Sequence, residues 1–179
     1  IRPGTVIYDT NAHIGIVYRV DQAGRIYYMD AHPDFTITRS VYGAQFGRSP
    51  AALGWGLKNW RPLQLAGARW NGNALVGGRY VFARNQQIRD FSLVQYRGTE
   101  PNPSGDERNA RWSYNGARLR FYEYVRVAVS VGRTDFNPVY ELQATMRTLC
   151  NDLGDRAQAV NQMPVQYVGE VRGRVFASG

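Results

Sequence analysis

Arg2-Pro3-Gly4-Thr5-Val6-Ile7-Tyr8-Asp9, Ala12-His13-Ile14-Gly15-Ile16-Val17-Tyr18 and Gly24-Arg25-Ile26-Tyr27-Tyr28-Met29-Asp30-Ala31-His32-Pro33-Asp34 carry the pattern that decides the fold of this chain. Apolar residues recur at the two-residue period of a half-buried strand. Val6 and Tyr8, then Ile14, Ile16 and Tyr18, then Ile26 and Tyr28, then Phe35 and Ile37 predict four short strands. Asp21-Gln22-Ala23-Gly24 has the chemistry of a tight turn, so the second and third strands are expected to pair as an antiparallel hairpin. Both histidines of the chain, His13 and His32, fall in this opening stretch, close to Asp30 and Asp34.

Outward from that stretch the signals weaken and then return. Residues 42–50 read as a loop, and 56–62 as an extended segment in which Pro62 suits only an edge or an end. Asn71-Gly72 marks a turn, with strands predicted at 80–83 and 91–96. Residues 98–116 collect glycine, proline, asparagine and charge, and read as an exposed loop. Residues 118–131 fit a helical face through Phe121, Tyr122, Val125, Ala128 and Val129, although their valines suit a strand; a helix is the expectation.

The clearest helix lies near 138–162. Asn137 is placed to cap it, Pro138 suits its first turn, and Glu141 sits at the positive end of its dipole. Val139, Leu142, Met146, Leu149, Leu153, Ala157 and Val160 form an apolar stripe at three- and four-residue steps, with Gly154 as an interior weak point. Residues 165–176 alternate as a final strand. The sum is one α+β domain over 1–179, an antiparallel sheet or barrel packed against helices, with no internal repeat and no linker.

Composition bounds the chemistry. A chain of 179 residues with 44% hydrophobic and 13% aromatic residues can bury a real core and is not disordered. No apolar run is long enough to span a bilayer. No basic leader followed by an apolar segment opens the chain, and Ile1 in place of an initiator methionine reads as a processed start. The net charge of +8 is carried almost wholly by arginine, Lys58 being the only lysine. Arginine favours planar contacts with carboxylate or phosphate, which fits an anionic partner (nucleic acid, acidic lipid or a bacterial wall polymer) as well as a plain arginine-rich surface, the commoner case. The charges are scattered, and no nucleic-acid-binding motif accompanies them. Trp55, Trp60, Trp70 and Trp112 are expected to pack in the core or along sheet edges, although glycines and arginines beside them also suit a glycan cleft. The single cysteine, Cys150, excludes an internal disulfide framework and any multi-cysteine metal site.

The opening resembles the papain-like hydrolases of the NlpC and CHAP type. Pro3-Gly4-Thr5, Ala12-His13-Ile14-Gly15-Ile16-Val17-Tyr18 and Asp30-Ala31 match that family's strand, histidine strand and polar-residue arm, over about residues 2–40. Thr5 stands where the family usually has aspartate. The resemblance implies a papain-like α+β fold and cleavage of amide or ester bonds, with bacterial peptidoglycan peptide as substrate. It places the protein in the periplasm or outside the cell ahead of the cytoplasm, and implies no cofactor. His13 would be the general base, and Asp30, or failing that His32, the group that orients its ring. In the usual family order the catalytic cysteine precedes the Pro-Gly stretch. In circularly permuted relatives it follows the histidine, which would make Cys150 the nucleophile. A reactive thiol is best placed at a helix N-terminus, whereas Cys150 falls inside the helix beside Leu149, where a free cysteine is commonly a small packed hydrophobe.

Two alternatives stay open. The same fold without a working thiol would be a binding module for wall polymer or a partner protein. His13, Asp30, His32 and Asp34 are all possible metal ligands, but their spacing fits no common signature. A serine nucleophile would need a strained elbow, and no Gly-x-Ser-x-Gly is present. Residues 66–135 carry no assigned role.

Overall fold

Gly4, with φ of +89°, turns the chain into its first strand, and four more strands follow in the computed structural model, which describes residues 1–33, 36–134 and 136–162. They are β1 (Val6–Tyr8), β2 (Ile14–Val20), β3 (Ile26–Ala31), β4 (Ile37–Val41) and β5 (Gly56–Lys58). All neighbours are antiparallel, in the order β4-β3-β2-β1-β5. The four-strand expectation is met by β1 to β4, with Phe35 and Asp34 outside the described residues. A register shift between Val17 and Arg19 bends β2 against β3.

Strand parity decides which residues enter the core. Gly15 and Val17 of β2 and Ile26, Tyr28 and Asp30 of β3 are buried, whereas Ile14, Ile16 and Tyr18 point to the open face. Gly15 is required by a side chain of the adjacent strand: a Cβ there would lie 2.8 Å from Cδ2 of Tyr28, the ladder partner of Val17. Thr5 is fully buried, accepting from the Arg2 amide (3.0 Å) and donating to Asn59 Oδ1 (2.7 Å). The hydroxyl thereby ties the start of β1 to the end of β5.

The inner sheet face packs on aromatic residues from the middle of the chain. Tyr42 and Phe46 are buried, so the stretch expected as loop contributes to the core. Phe46 meets Tyr28 edge-on at 5.1 Å, and Phe121 sits between Trp55 (5.5 Å) and Trp112 (5.0 Å). Residues 91–96, expected as a strand, are not one: 91–93 are irregular and the chain then forms the short helix α1 (Val94–Arg97). Its Tyr96 hydroxyl donates to the Trp55 carbonyl (2.6 Å), and the Gln95 amide brackets the backbone of Leu57, accepting at 2.8 Å and donating at 2.9 Å. Those bonds satisfy the free edge of β5, and tertiary packing overrides the strand propensity of the segment. The 98–116 region is not wholly exposed loop, because it delivers buried Trp112, whose indole N–H donates to the Val94 carbonyl (2.9 Å).

Two hairpins and two helices complete the chain. β6 (Leu63–Asn71) and β7 (Ala74–Phe82) form a long ribbon closed at Asn71-Gly72, with Gly72 at φ of +61°. β8 (Trp112–Tyr114) and β9 (Ala117–Leu119) form a smaller ribbon through Asn115-Gly116. α2 (Phe121–Val129) is the helix expected from 118–131, because Phe121 and Val125, one turn apart, both reach the core. α3 (Pro138–Gln162) follows, its first turn capped by Asn137 Oδ1, which accepts from the amides of Val139 (3.0 Å) and Tyr140 (3.3 Å). The strand expected at 165–176 lies outside the described residues. No described helix is long and apolar enough to cross a membrane.

α3 departs from expectation in its orientation. None of its residues is buried; it runs along the β4 edge, and the face it presents there is small and acidic. Asp152 Oδ1 accepts from the Arg39 backbone amide (3.1 Å), Asp155 pairs with the Arg39 guanidinium (3.4 Å), and Glu141 receives Arg25 (3.2 Å) and Arg126. The apolar stripe, read from sequence as the packing face, points to solvent. Two tryptophans behave in the same way: Trp55 is 1% exposed, but Trp60 is 81% and Trp70 71% exposed.

Candidate functional site

The β1–β2 turn sets the position of His13. Its amides and carbonyls close on themselves: Ala12 N–H donates to the Asp9 carbonyl (3.0 Å), and Asp9 N–H to the His13 carbonyl (2.9 Å). Ala12 takes a left-handed φ of +63°, a conformation that costs a non-glycine residue about 1 kcal/mol and that a small side chain tolerates best. His13 shares parity with Gly15 and Val17, so it belongs to the core face at the open end of the sheet.

Antiparallel register brings the carboxylate to it. Asp30 lies opposite Gly15 on one side and Thr38 on the other. His13 Nε2 stands 2.6 Å from Asp30 Oδ2, with the His13 side chain 38% exposed and that of Asp30 only 6%. Asp30 Oδ1 accepts from the Thr38 hydroxyl (2.6 Å), which in turn accepts from His32 Nε2 (2.9 Å); the same His32 nitrogen is 3.3 Å from Asp30 Oδ1. Because the Thr38 proton is committed to the carboxylate, His32 must carry its proton on Nε2. Asp30 therefore has a partner on each oxygen, His13 on Oδ2 and Thr38 on Oδ1. With Asp30 Oδ2 accepting from Nε2–H, the His13 ring keeps its Nδ1 lone pair free to accept a proton.

The four residues singled out from sequence separate into two places. His13, Asp30 and His32 form one cluster, with the two imidazole rings 5.7 Å apart. Asp30, not His32, bonds His13. Cys150 is exposed on α3 and lines a different cavity of about 550 Å³ with Tyr18, Arg19, Tyr27, Arg39 and Asn151. Neither His13 nor Asp30 lines that cavity. Tyr18 is five residues along β2 from His13, which corresponds to about 17 Å of extended chain. Cys150 is also in the interior of α3, away from the positive helix end that activates a thiol. Among the described residues no group of three or more histidine, cysteine, aspartate or glutamate side chains is arranged to hold a metal ion, and Asp34 lies outside them.

Thr38 escaped the sequence reading. Its signal was present only as a register relation: a polar residue on the strand after Asp30, at the position directly across the ladder. That relation depends on where the β3–β4 connection turns. The chain matches no protein-family model, no curated protein and no solved structure.

Proposed function

We propose that His13 and Asp30 are the proton-transfer pair of a thiol-dependent hydrolase or acyltransferase acting on amide or ester bonds, similar to the NlpC and CHAP type, with peptidoglycan stem peptides as the favoured substrate class. The observation that carries this reading is the 2.6 Å contact between His13 Nε2 and Asp30 Oδ2 on a side chain that is 38% exposed. In this reading His13 Nδ1 takes the proton of a thiol and the thiolate attacks the substrate carbonyl carbon. The imidazolium then returns that proton to the leaving amine or alcohol as the carbon–heteroatom bond breaks. Water, deprotonated by the same nitrogen, cleaves the resulting thioester and regenerates the thiol. Asp30 holds the ring tautomer throughout, while Thr38 and His32 hold Asp30.

A second reading is favoured by the position of Cys150, the only thiol of the chain, on a separate cavity: a papain-like module that binds wall polymer or a partner without cleaving it. One set of variants separates the two. Hydrolysis of soluble stem-peptide substrates is measured for the wild type, His13→Ala and Cys150→Ser. The hydrolase reading expects turnover by the wild type and a loss of about 10²–10⁴-fold in His13→Ala. Loss in Cys150→Ser assigns the nucleophile; retention, with no other thiol in the chain, ends the thiol-dependent reading. A wild type that binds peptidoglycan without turnover supports the second reading and ends the first.

A further inference from the structure

The β6–β7 ribbon carries exposed apolar side chains and unneutralised positive charge on one projection. The apolar residues stand in cross-strand pairs: Leu63 opposite Phe82, Leu65 opposite Tyr80, and Trp70 opposite Leu75 beside the turn. Each of the six is between 40% and 74% exposed. Residues directly opposite each other share one side of a ribbon, so every pair is a continuous apolar area. The charge comes from Arg61, Arg69, Arg79, Arg84 and Arg89, all exposed. No aspartate or glutamate occurs between Asp34 and Asp90. Among the described residues none of these five arginines stands in an ion pair, and Arg61 bonds only neutral groups, the Ala83 carbonyl and Asn85 Oδ1.

We infer that the ribbon docks on a bilayer containing anionic lipid, with its turn entering the headgroup layer. The turn is built for that depth. Residues 70–78 carry no charge, and Trp70 and Leu75 flank the connection. Tryptophan settles where lipid meets water, with its ring in the apolar zone and its N–H hydrated. Arg69 directly precedes Trp70, and Arg79 lies opposite Ala66, about 13 Å back along the strand. Guanidinium groups at those levels meet lipid phosphates, which they bind through two N–H donors at once. The open strand edges stay hydrated among headgroups, as they could not in the hydrocarbon core.

Charge and composition decide against other occupants. Two copies joined through their ribbons would bring five arginines against five, with no acid between them. A single-stranded nucleic acid would use the arginines and aromatic rings, but it offers nothing to Leu63, Leu65 and Leu75. A fluid lipid layer covers aliphatic and aromatic side chains alike, and it closes around a projecting ribbon from every side. The inference does not rest on the hydrolase reading, since neither His13 nor Asp30 belongs to the ribbon.

Co-sedimentation of the whole chain with phospholipid vesicles tests this. The probes are vesicles of equimolar phosphatidylglycerol and phosphatidylcholine, and vesicles of phosphatidylcholine alone, in about 0.1 M salt. The wild type should bind the anionic vesicles and bind the neutral ones at least about ten-fold more weakly. Arg69→Gln with Arg79→Gln should weaken anionic binding about thirty-fold. Trp70→Ala with Leu75→Ala should weaken it about ten-fold or more. Both double variants should keep the wild-type dichroism spectrum and melting temperature, because the altered side chains are exposed in the free chain. A wild type that ignores anionic vesicles, or binds both kinds equally, overturns the inference. So does undiminished binding by either double variant: the apolar pair would then be idle, or the charge would act elsewhere. Tighter binding to oligothymidylate than to anionic vesicles, lost in the same variants, would make the ribbon a nucleic-acid site and equally overturn it. None of these readouts involves turnover, so they leave the hydrolase test separate.

Discussion

The sheet with α2 and the two projections, the β6–β7 ribbon and α3, use the same residue types and treat them in opposite ways. In the first region Trp55, Phe121, Trp112 and Tyr28 are buried against one another. In the second, Trp70, Tyr80, Phe82, Leu142 and Leu153 are all exposed. The difference is one of partners. Each core aromatic is reached by at least two elements, whereas the ribbon is an isolated pair of strands and α3 touches the body by its polar side. Among the described residues the ribbon strands pack chiefly on each other and α3 meets β4 through polar groups, which does not remove their apolar side chains from water. What these projections teach is that apolar periodicity specifies an element and its seam, and leaves open which molecule fills the seam.

The sharpest test of that contrast is a pair of tryptophans. Trp55→Ala should destabilise the fold by about 3–5 kcal/mol, since it empties a fully buried site. Trp70→Ala should change stability by less than about 0.5 kcal/mol. Denaturant titrations of both variants measure this, and comparable losses would show that the ribbon is packed in solution.

Alkaline pH probes the same core more gently. Burial pushes the phenols of Tyr28, Tyr42, Tyr96 and Tyr122 above their ordinary range, with Tyr42 shifted most. A phenol whose folded value lies above its unfolded value contributes stability that is complete below pH about 10 and is lost as pH rises beyond it. Tyr42 alone should cost about 1.4 kcal/mol for each pH unit above 10. Chemical melts at pH 9, 10 and 11 should show that decline, and equal stability at all three would contradict a buried Tyr42.

The smallest effect concerns how α3 is held. Partial burial against β4 raises the Asp152 carboxyl above the usual carboxylate range, an effect opposed by the Arg39 amide. The sign follows: the folded state favours the protonated acid, so docking is firmest below the unfolded value of about 4 and weakens as pH rises through the folded value. Asp152→Asn keeps an oxygen for the Arg39 amide and removes the charge. It should shift stability by less than about 0.5 kcal/mol in the favourable direction at neutral pH. Hydrogen exchange at the Arg39 amide reads this locally; slower exchange is expected, and faster exchange would mean that the charge itself holds the helix.

The candidate site shows how far residues can be read before they are folded. The pairing of His13 with Asp30 was legible, because two short antiparallel strands joined by a tight turn leave few registers that keep apolar residues on one face. The ambiguity between Asp30 and His32 was not resolvable that way, since both share a face by two-residue spacing. The structure settles the contact in favour of Asp30 and gives His32 to Thr38. Cys150 was legible as a helix-interior residue, but its separation from His13 was not, because that distance depends on which edge of the sheet α3 lies along.

From the amino-acid order alone came the opening strands, the helix from Pro138 with its Asn137 cap, the α2 helix and the seam of α3. All of these rest on interactions among residues within about one or two turns of one another, so periodicity and capping chemistry suffice. Only the tertiary structure decided that Val94–Arg97 is helical, that Thr38 supports Asp30, that Trp60 and Trp70 stay outside, and that α3 turns its apolar side to solvent. Those outcomes depend on which distant surfaces meet, and burial belongs to a pair of surfaces, not to either one by itself.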